Sequence, residues 1–152
     1  MKLATALSER ADIQTRIEQL SQRLMINAKV QEGDMPAEDP EALMKELSVL
    51  ISRLEELVAL INLTNSKTMC DGLTLTALLS RRDALTKKIG IYRNFLNESS
   101  SRVNRFTKSE IRIQSTVDVT SVQQEVDAMS KYLRLLDEKI QGLNWTTDLI
   151  KV

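Results

Sequence analysis

Apolar residues recur at helical spacing in four stretches of this chain, and the pattern differs from one stretch to the next. Over roughly residues 2–28, Leu3, Leu7, Ile13, Ile17, Leu20 and Leu24 share one side, the last four at steps of +4, +3 and +4. Glu, Arg and Gln fill the opposite face, the signature of an amphipathic helix. Gly33 and Pro36 then interrupt a polar linker, Gln31 to Glu38, which no helix can cross. Asp39-Pro40-Glu41 predicts the start of a second helix, about 39–63. Asp39 suits the cap, Pro40 the first helical position and Glu41 the positive end of the macrodipole. Leu43, Leu47, Leu50, Leu54, Leu57 and Ile61 follow without a miss, and Met44, Ile51 and Val58 add a flanking row at seven-residue spacing. A stripe this broad predicts the most buried helix of a bundle. Asn62-Leu63-Thr64-Asn65 is expected to close it, and Asp71-Gly72 to make a turn.

A third helix is predicted over about 74–97, carrying Leu75, Leu78, Leu79, Leu85, Ile89, Tyr92 and Leu96, with its stripe broken at Arg82. Beyond it the period changes. In the run from Glu110 to Val119, Ile111, Ile113, Val117 and Val119 fall on alternate positions, which predicts a half-buried strand. A lone strand leaves backbone groups unpaired. Two partners are open: Val103-Asn104-Arg105-Phe106 as the other arm of a hairpin, or a second subunit. The last helix, about 120–143, is expected to start at Thr120 with Gln123 completing a capping box. Its stripe of Val122, Val126, Met129, Leu133, Leu136, Ile140 and Leu143 is narrow, as coiled-coil-style packing requires.

These elements predict a mainly α fold in one domain, 1–152. It is a bundle with coiled-coil-like packing of about four helices, and one short β-strand or hairpin (about 103–119) precedes the last. Composition agrees. Aromatic residues make up 3% of the chain, and there are four Gly and two Pro. Leu, Ile, Val, Met and Ala must therefore fill the core of a chain rich in straight helix-forming side chains.

Charge sharpens the reading at two places. Lys and Arg total 21, as do Asp and Glu, so no global field draws in nucleic acid or a membrane surface. Locally, Glu32 to Glu56 holds eight acids against Lys45 and Arg53, while Arg81 to Arg112 holds nine bases against three acids. The two stretches are expected to compensate each other, within one subunit or between subunits.

Candidate chemistry is sparse. The chain has no His, which removes the usual general base, the Ser-His-Asp triad and most transition-metal sites. Its four glycines are isolated, so no phosphate-cradling loop exists. Glu32, Asp34, Glu38 and Asp39 cluster in the linker without EF-hand spacing and read as an acidic surface loop. Cys70 is the only cysteine, which excludes an intrachain disulfide and points to a reducing compartment. No metal, cofactor or catalytic site is expected. One segment stands out for binding: Arg102, Arg105, Lys108 and Arg112, interleaved with hydroxyls and Phe106, suit a phosphate or a nucleic-acid backbone. The opening MKLATALSERAD puts polar residues where a signal peptide carries its apolar core, and the longest apolar run, Leu57–Ile61, is too short to span a bilayer. The expectation is a cytoplasmic protein.

MKLATALSERAD, NAKVQEGDMPAEDPE, INLTN, SRRDAL, RFTKSEIRIQSTVDV, LDEKIQ and NWTTDL together resemble a family of small, mostly uncharacterised bacterial proteins, some of which carry the name septicolysin. The likeness spans almost the whole chain. It implies an α-helical, oligomeric protein, and the name suggests a cytolysin; it assigns no catalytic or binding residue.

The functional expectation is a non-enzymatic protein that forms a homo-oligomer. Its interface is expected on Val122, Val126, Met129, Leu133, Leu136 and Ile140, with Trp145 as an anchor beyond that helix. The alternatives are a polyanion or nucleic-acid binder using residues 102–112, and a pore-forming cytolysin.

Overall fold

The computed structural model describes residues 1–100 and 113–151. Four long helices dominate: α1 (Leu3–Ile26), α2 (Pro40–Lys67), α3 (Leu75–Ser100) and α4 (Val119–Thr146). Two dipeptide strands, β1 (Met69–Cys70) and β2 (Leu73–Thr74), form an antiparallel pair with Met69 opposite Thr74 and Cys70 opposite Leu73. Among the described residues, the mainly α class with one short strand pair is therefore the observed one.

The pair lies elsewhere than the alternation at 110–119 predicts. Residues 113–118 carry no strand and Val119 begins α4, while 103–112 lie outside the described residues. What makes the observed hairpin is its turn. Asp71 and Gly72 both have positive φ, 50° and 79°, the handedness that a two-residue hairpin turn needs to match strand twist. Alternating Ile and Val report only that a segment is compatible with a pleated surface, whereas Asp-Gly fixes the reversal itself.

Contacts divide the chain into two compact units. The first comprises Met1–Leu75 with Gly142–Val152, and the second Thr76–Gln141.

In the first unit α1 packs against α2. Buried Ala6, Ile13 and Leu20 of α1 face buried Leu43, Leu50, Leu57 and Ile61 of α2. Asp39 caps α2 as its residue type predicts, Oδ1 accepting from Glu41 N at 3.1 Å, with Pro40 at the first position. The helix does not stop at Asn62–Asn65; it continues to Lys67. Thr64 is fully buried there because its hydroxyl is satisfied twice, donating to Leu60 O at 2.8 Å and accepting from Ile150 N at 3.0 Å. A polar cluster closes the far end of the pair. Asn27 Nδ2 donates to Arg23 O at 2.9 Å, and its Oδ1 accepts from Glu38 N at 3.0 Å. The two chain ends also meet: Leu3 N donates to Thr147 O at 2.9 Å, Leu149 N to Met1 O at 2.8 Å, and Lys2 pairs with Asp148 at 2.9 Å.

The second unit is a pair made of α3 and the greater part of α4. Ile89, Leu96 and Val126 form its core, with Leu85, Tyr92, Val119, Val122, Met129 and Leu133 packed against them. α4 begins differently from the capping box expected at Thr120 and Gln123. Asp118 is the cap, its Oδ1 accepting from Thr120 N at 3.1 Å and Ser121 N at 3.4 Å. Gln123 instead donates to Asp127 Oδ1 at 2.9 Å. Asp118 and the Thr120–Gln123 pair both fit a capping pattern; the helix starts one residue earlier than expected, and the Asp118 side chain accepts from its first amides.

Candidate functional site

The basic residues singled out for binding, Arg102, Arg105, Lys108 and Arg112, lie outside the described residues. The interface set is described, and the structure turns most of it inward. Val126, Leu136 and Ile140 are buried, and Val122, Met129 and Leu133 are half-buried. α3 covers the Val122–Leu133 part of this stripe within the same chain, since Val122, Val126, Met129 and Leu133 share a core with Ile89 and Leu96. Only Trp145 of that set is open, at 67% exposed.

The flanking row of α2 has the opposite fate. Met44, Ile51 and Val58 broaden the apolar stripe in the sequence, which predicts burial, yet they are 50%, 46% and 36% exposed. The cause is geometric. At about 100° per residue, Ile51 lies about 100° round the helix from buried Leu50, beyond what a single partner helix covers. Val49, two residues back, is exposed as well.

The other flank of the α1–α2 pair is polar and stapled. Glu9, Arg16 and Arg23 stand at seven-residue spacing on α1. Arg53 Nε and Nη2 donate to the two Glu9 oxygens at 2.7 and 3.1 Å, Arg16 Nη2 to Glu46 Oε1 at 3.4 Å, and Arg23 makes a two-pronged pair with Glu38. Arg53 also pairs with Glu56 at 2.6 Å. Its guanidinium pKa rises chiefly because both carboxylates accept its hydrogen bonds. The hydrogen bond from Arg23 holds the Glu38 carboxyl below its ordinary range. The heptad spacing of the α1 charges is the signal that would have found this ladder in the sequence.

These pairs also revise the expected charge compensation. Within the first unit, acids of the 32–56 stretch meet Arg16, Arg23 and Arg53. Within the second, bases of α3 meet acids of α4, Arg82 with Asp137 at 3.8 Å and Lys88 with Glu125 at 4.0 Å. Each helix pair compensates internally, because neighbours across one interface lie closer than any long-range patch.

Between α3 and α4, wholly within the second unit, runs an open groove of about 400 Å³. Ile89 and Leu133 contribute apolar surface, Thr86 and Ser130 hydroxyls, and Arg82, Arg93 and Arg134 line it opposite a single carboxylate, Asp137. Arg93 Nη2 donates to Ser130 Oγ at 3.1 Å, Arg134 Nη1 to Glu138 Oε1 at 3.0 Å, and Arg82 to Asp83 Oδ1 at 2.9 and 3.0 Å. Each guanidinium has five N–H donors, so these bonds leave capacity for an incoming acceptor. Arg82 registers in the sequence as a break in the apolar stripe; that break is where the groove lies.

Glu38 is engaged by Arg23 and Asp39 caps α2. Among the described residues no group of three or more Cys, Asp or Glu side chains is placed to hold an ion. Among them, too, no helix is long and apolar enough to cross a membrane. Cys70 is a free, half-buried thiol in β1.

Residues 10–149 match a family of unknown function (DUF6847). The chain is 44% identical to a functionally unknown conserved protein from Corynebacterium diphtheriae, whose crystal structure superposes with a TM-score of 0.93 over 99% of both chains. Neither description mentions septicolysin. No curated protein matches.

Proposed function

Since the chain belongs to the family of unknown function DUF6847, whose description names no activity to test against, we propose from its surfaces that it is a non-enzymatic protein that assembles with copies of itself. The observation that carries this is the row Met44, Ile51 and Val58 on α2, each side chain a third to a half exposed. From Met44 to Val58 the row runs fourteen residue steps, or about 21 Å of helix. Its seven-residue repeat is the spacing by which one helix meets another along a seam, and an antiparallel copy of α2 presents the same row in return. Covering such a half-exposed side chain contributes about 1 kcal/mol. The polar ladder on the opposite flank leaves this side as the apolar one. Trp145, exposed at 67%, adds an aromatic anchor of the kind that concentrates interface energy. This moves the expected interface from the α4 stripe, of which α3 covers the Val122–Leu133 part, to α2 and Trp145.

Light scattering during gel filtration tests the proposal. The chain should elute as a multiple of 17.2 kDa. Ile51→Glu, which puts a charge into the row without touching the packing of α2 on α1, should weaken association at least tenfold and leave the circular dichroism unchanged. A 17.2 kDa monomer at all concentrations would overturn the proposal.

Polyanion binding through Arg102, Arg105, Lys108 and Arg112 and the cytolysis suggested by the name septicolysin are the alternative roles. The first rests on residues outside the described ones, the second on a name.

A further inference from the structure

We infer that the arginine-lined groove between α3 and α4 receives an acidic, partly apolar peptide segment, namely the α1–α2 connection of a second copy. This rests on the self-assembly reading and adds a second contact surface to it.

The lining of the groove selects the class of ligand. Asp83, Asp137 and Glu138 take up part of the donor capacity of Arg82 and Arg134, while Arg93 donates to the Ser130 hydroxyl, and the N–H groups left over favour an acceptor-rich ligand. Arg82 and Arg93 stand eleven residues apart on α3, about 16 Å along the axis, and Arg134 lies across from them on α4. A single small anion spans about a third of that length, whereas a peptide segment of several residues fills it. A nucleic-acid strand would meet no aromatic side chain in the groove lining for its bases to stack on. A peptide fits better, placing carboxylates on the guanidinium groups and an apolar side chain against Ile89 and Leu133.

The chain itself carries such a segment. Between α1 and α2, Glu32 and Asp34 are exposed, and they are interleaved with Val30 at 49% and Met35 at 88% exposed. A turn closed by Asp34 N on Gln31 O at 3.0 Å, with Gly33 at φ 89°, presents the two acids on the surface. Unlike Glu38 and Asp39, which are engaged by Arg23 and the α2 amides, these two acids take no part in the helix-pair ladder. A segment from one copy in the groove of another is a heterologous contact, so it builds a ring where the rotation closes and a growing chain where it does not.

Charge reversal on the full chain tests this. A groove variant (Arg93→Glu with Arg134→Glu) and a segment variant (Glu32→Arg with Asp34→Arg) change only exposed side chains. Each should lower the association constant at least tenfold by light scattering, with thermal melts unchanged. Joining all four substitutions in one chain should restore association, an outcome misfolding cannot produce. If the wild-type chain assembles and all three variants match it, or if the joint variant is as weak as its parents, the inference falls and self-assembly stands. If the wild-type chain is a monomer throughout, both fall. If the groove variant loses binding of a labelled oligodeoxythymidine while its mass is unchanged, the groove serves nucleic acid, and the inference is overturned.

Discussion

Gly72 shows how much a single residue decides in this chain. With φ at 79° and Asp71 beside it at 50°, it occupies backbone space that other residues enter only under strain, and nothing lies within 4 Å of a built Cβ. Conformation alone therefore fixes the residue. Gly72→Ala should cost about 1–2 kcal/mol, read as a drop in the denaturant midpoint with the slope kept. An unchanged midpoint would show that the turn relaxes. Thr64 makes a similar point about polarity. In the sequence it belongs to a polar run expected to end α2, but it is fully buried, because Leu60 O and Ile150 N satisfy its hydroxyl. Ile150 lies 86 positions away, and no local pattern records such a partner.

At the scale of the element, periodicity was legible and boundaries less so. The four apolar stripes mark α1 to α4, since one face of a helix must be apolar to be covered. Their ends depend on single hydrogen bonds, as the two competing starts of α4 show. Asp118 provides the cap, accepting from Thr120 N and Ser121 N. Asp118→Ala should destabilise by about 1 kcal/mol, while Gln123→Ala, which removes only a surface contact to Asp127, should stay within about 0.5 kcal/mol. Equal losses from both would return the cap to the Thr120–Gln123 box. The broad stripe of α2 and the narrow one of α4 were also misleading in a consistent way. Width records how much apolar surface a helix offers, and in α2 the extra width is what remains exposed at Met44, Ile51 and Val58.

On the scale of the whole molecule, exposed charge pairs join distant parts of the chain. Arg23 with Glu38 joins the ends of α1 and the linker, and Lys2 with Asp148 joins the two ends of the sequence. Hydrogen bonds from Arg23 and Lys2 lower the pKa of Glu38 and Asp148 respectively. A carboxylate whose folded pKa lies below its unfolded one stabilises fully above the unfolded value and loses that contribution as pH falls through the folded value. The melting temperature should therefore hold from neutrality to about pH 5 and fall at lower pH. Both groups are solvent-exposed, so added salt should blunt the fall. Stability that rises on acidification would contradict the pairing.

The sequence by itself determined the helical class, the approximate course of all four helices, the α2 cap and the Asp-Gly turn. Each follows from local chemistry: a 3.6-residue period, a carboxylate before proline, a dipeptide tolerant of positive φ. It held no comparable information on which stripe meets which. Only the tertiary structure decided that α3 covers the Val126 stripe, that Arg82 borders a groove rather than breaking a core, and that the Met44 row stays open. An apolar face specifies that something must cover it, and burial free energy, being non-directional, does not specify what.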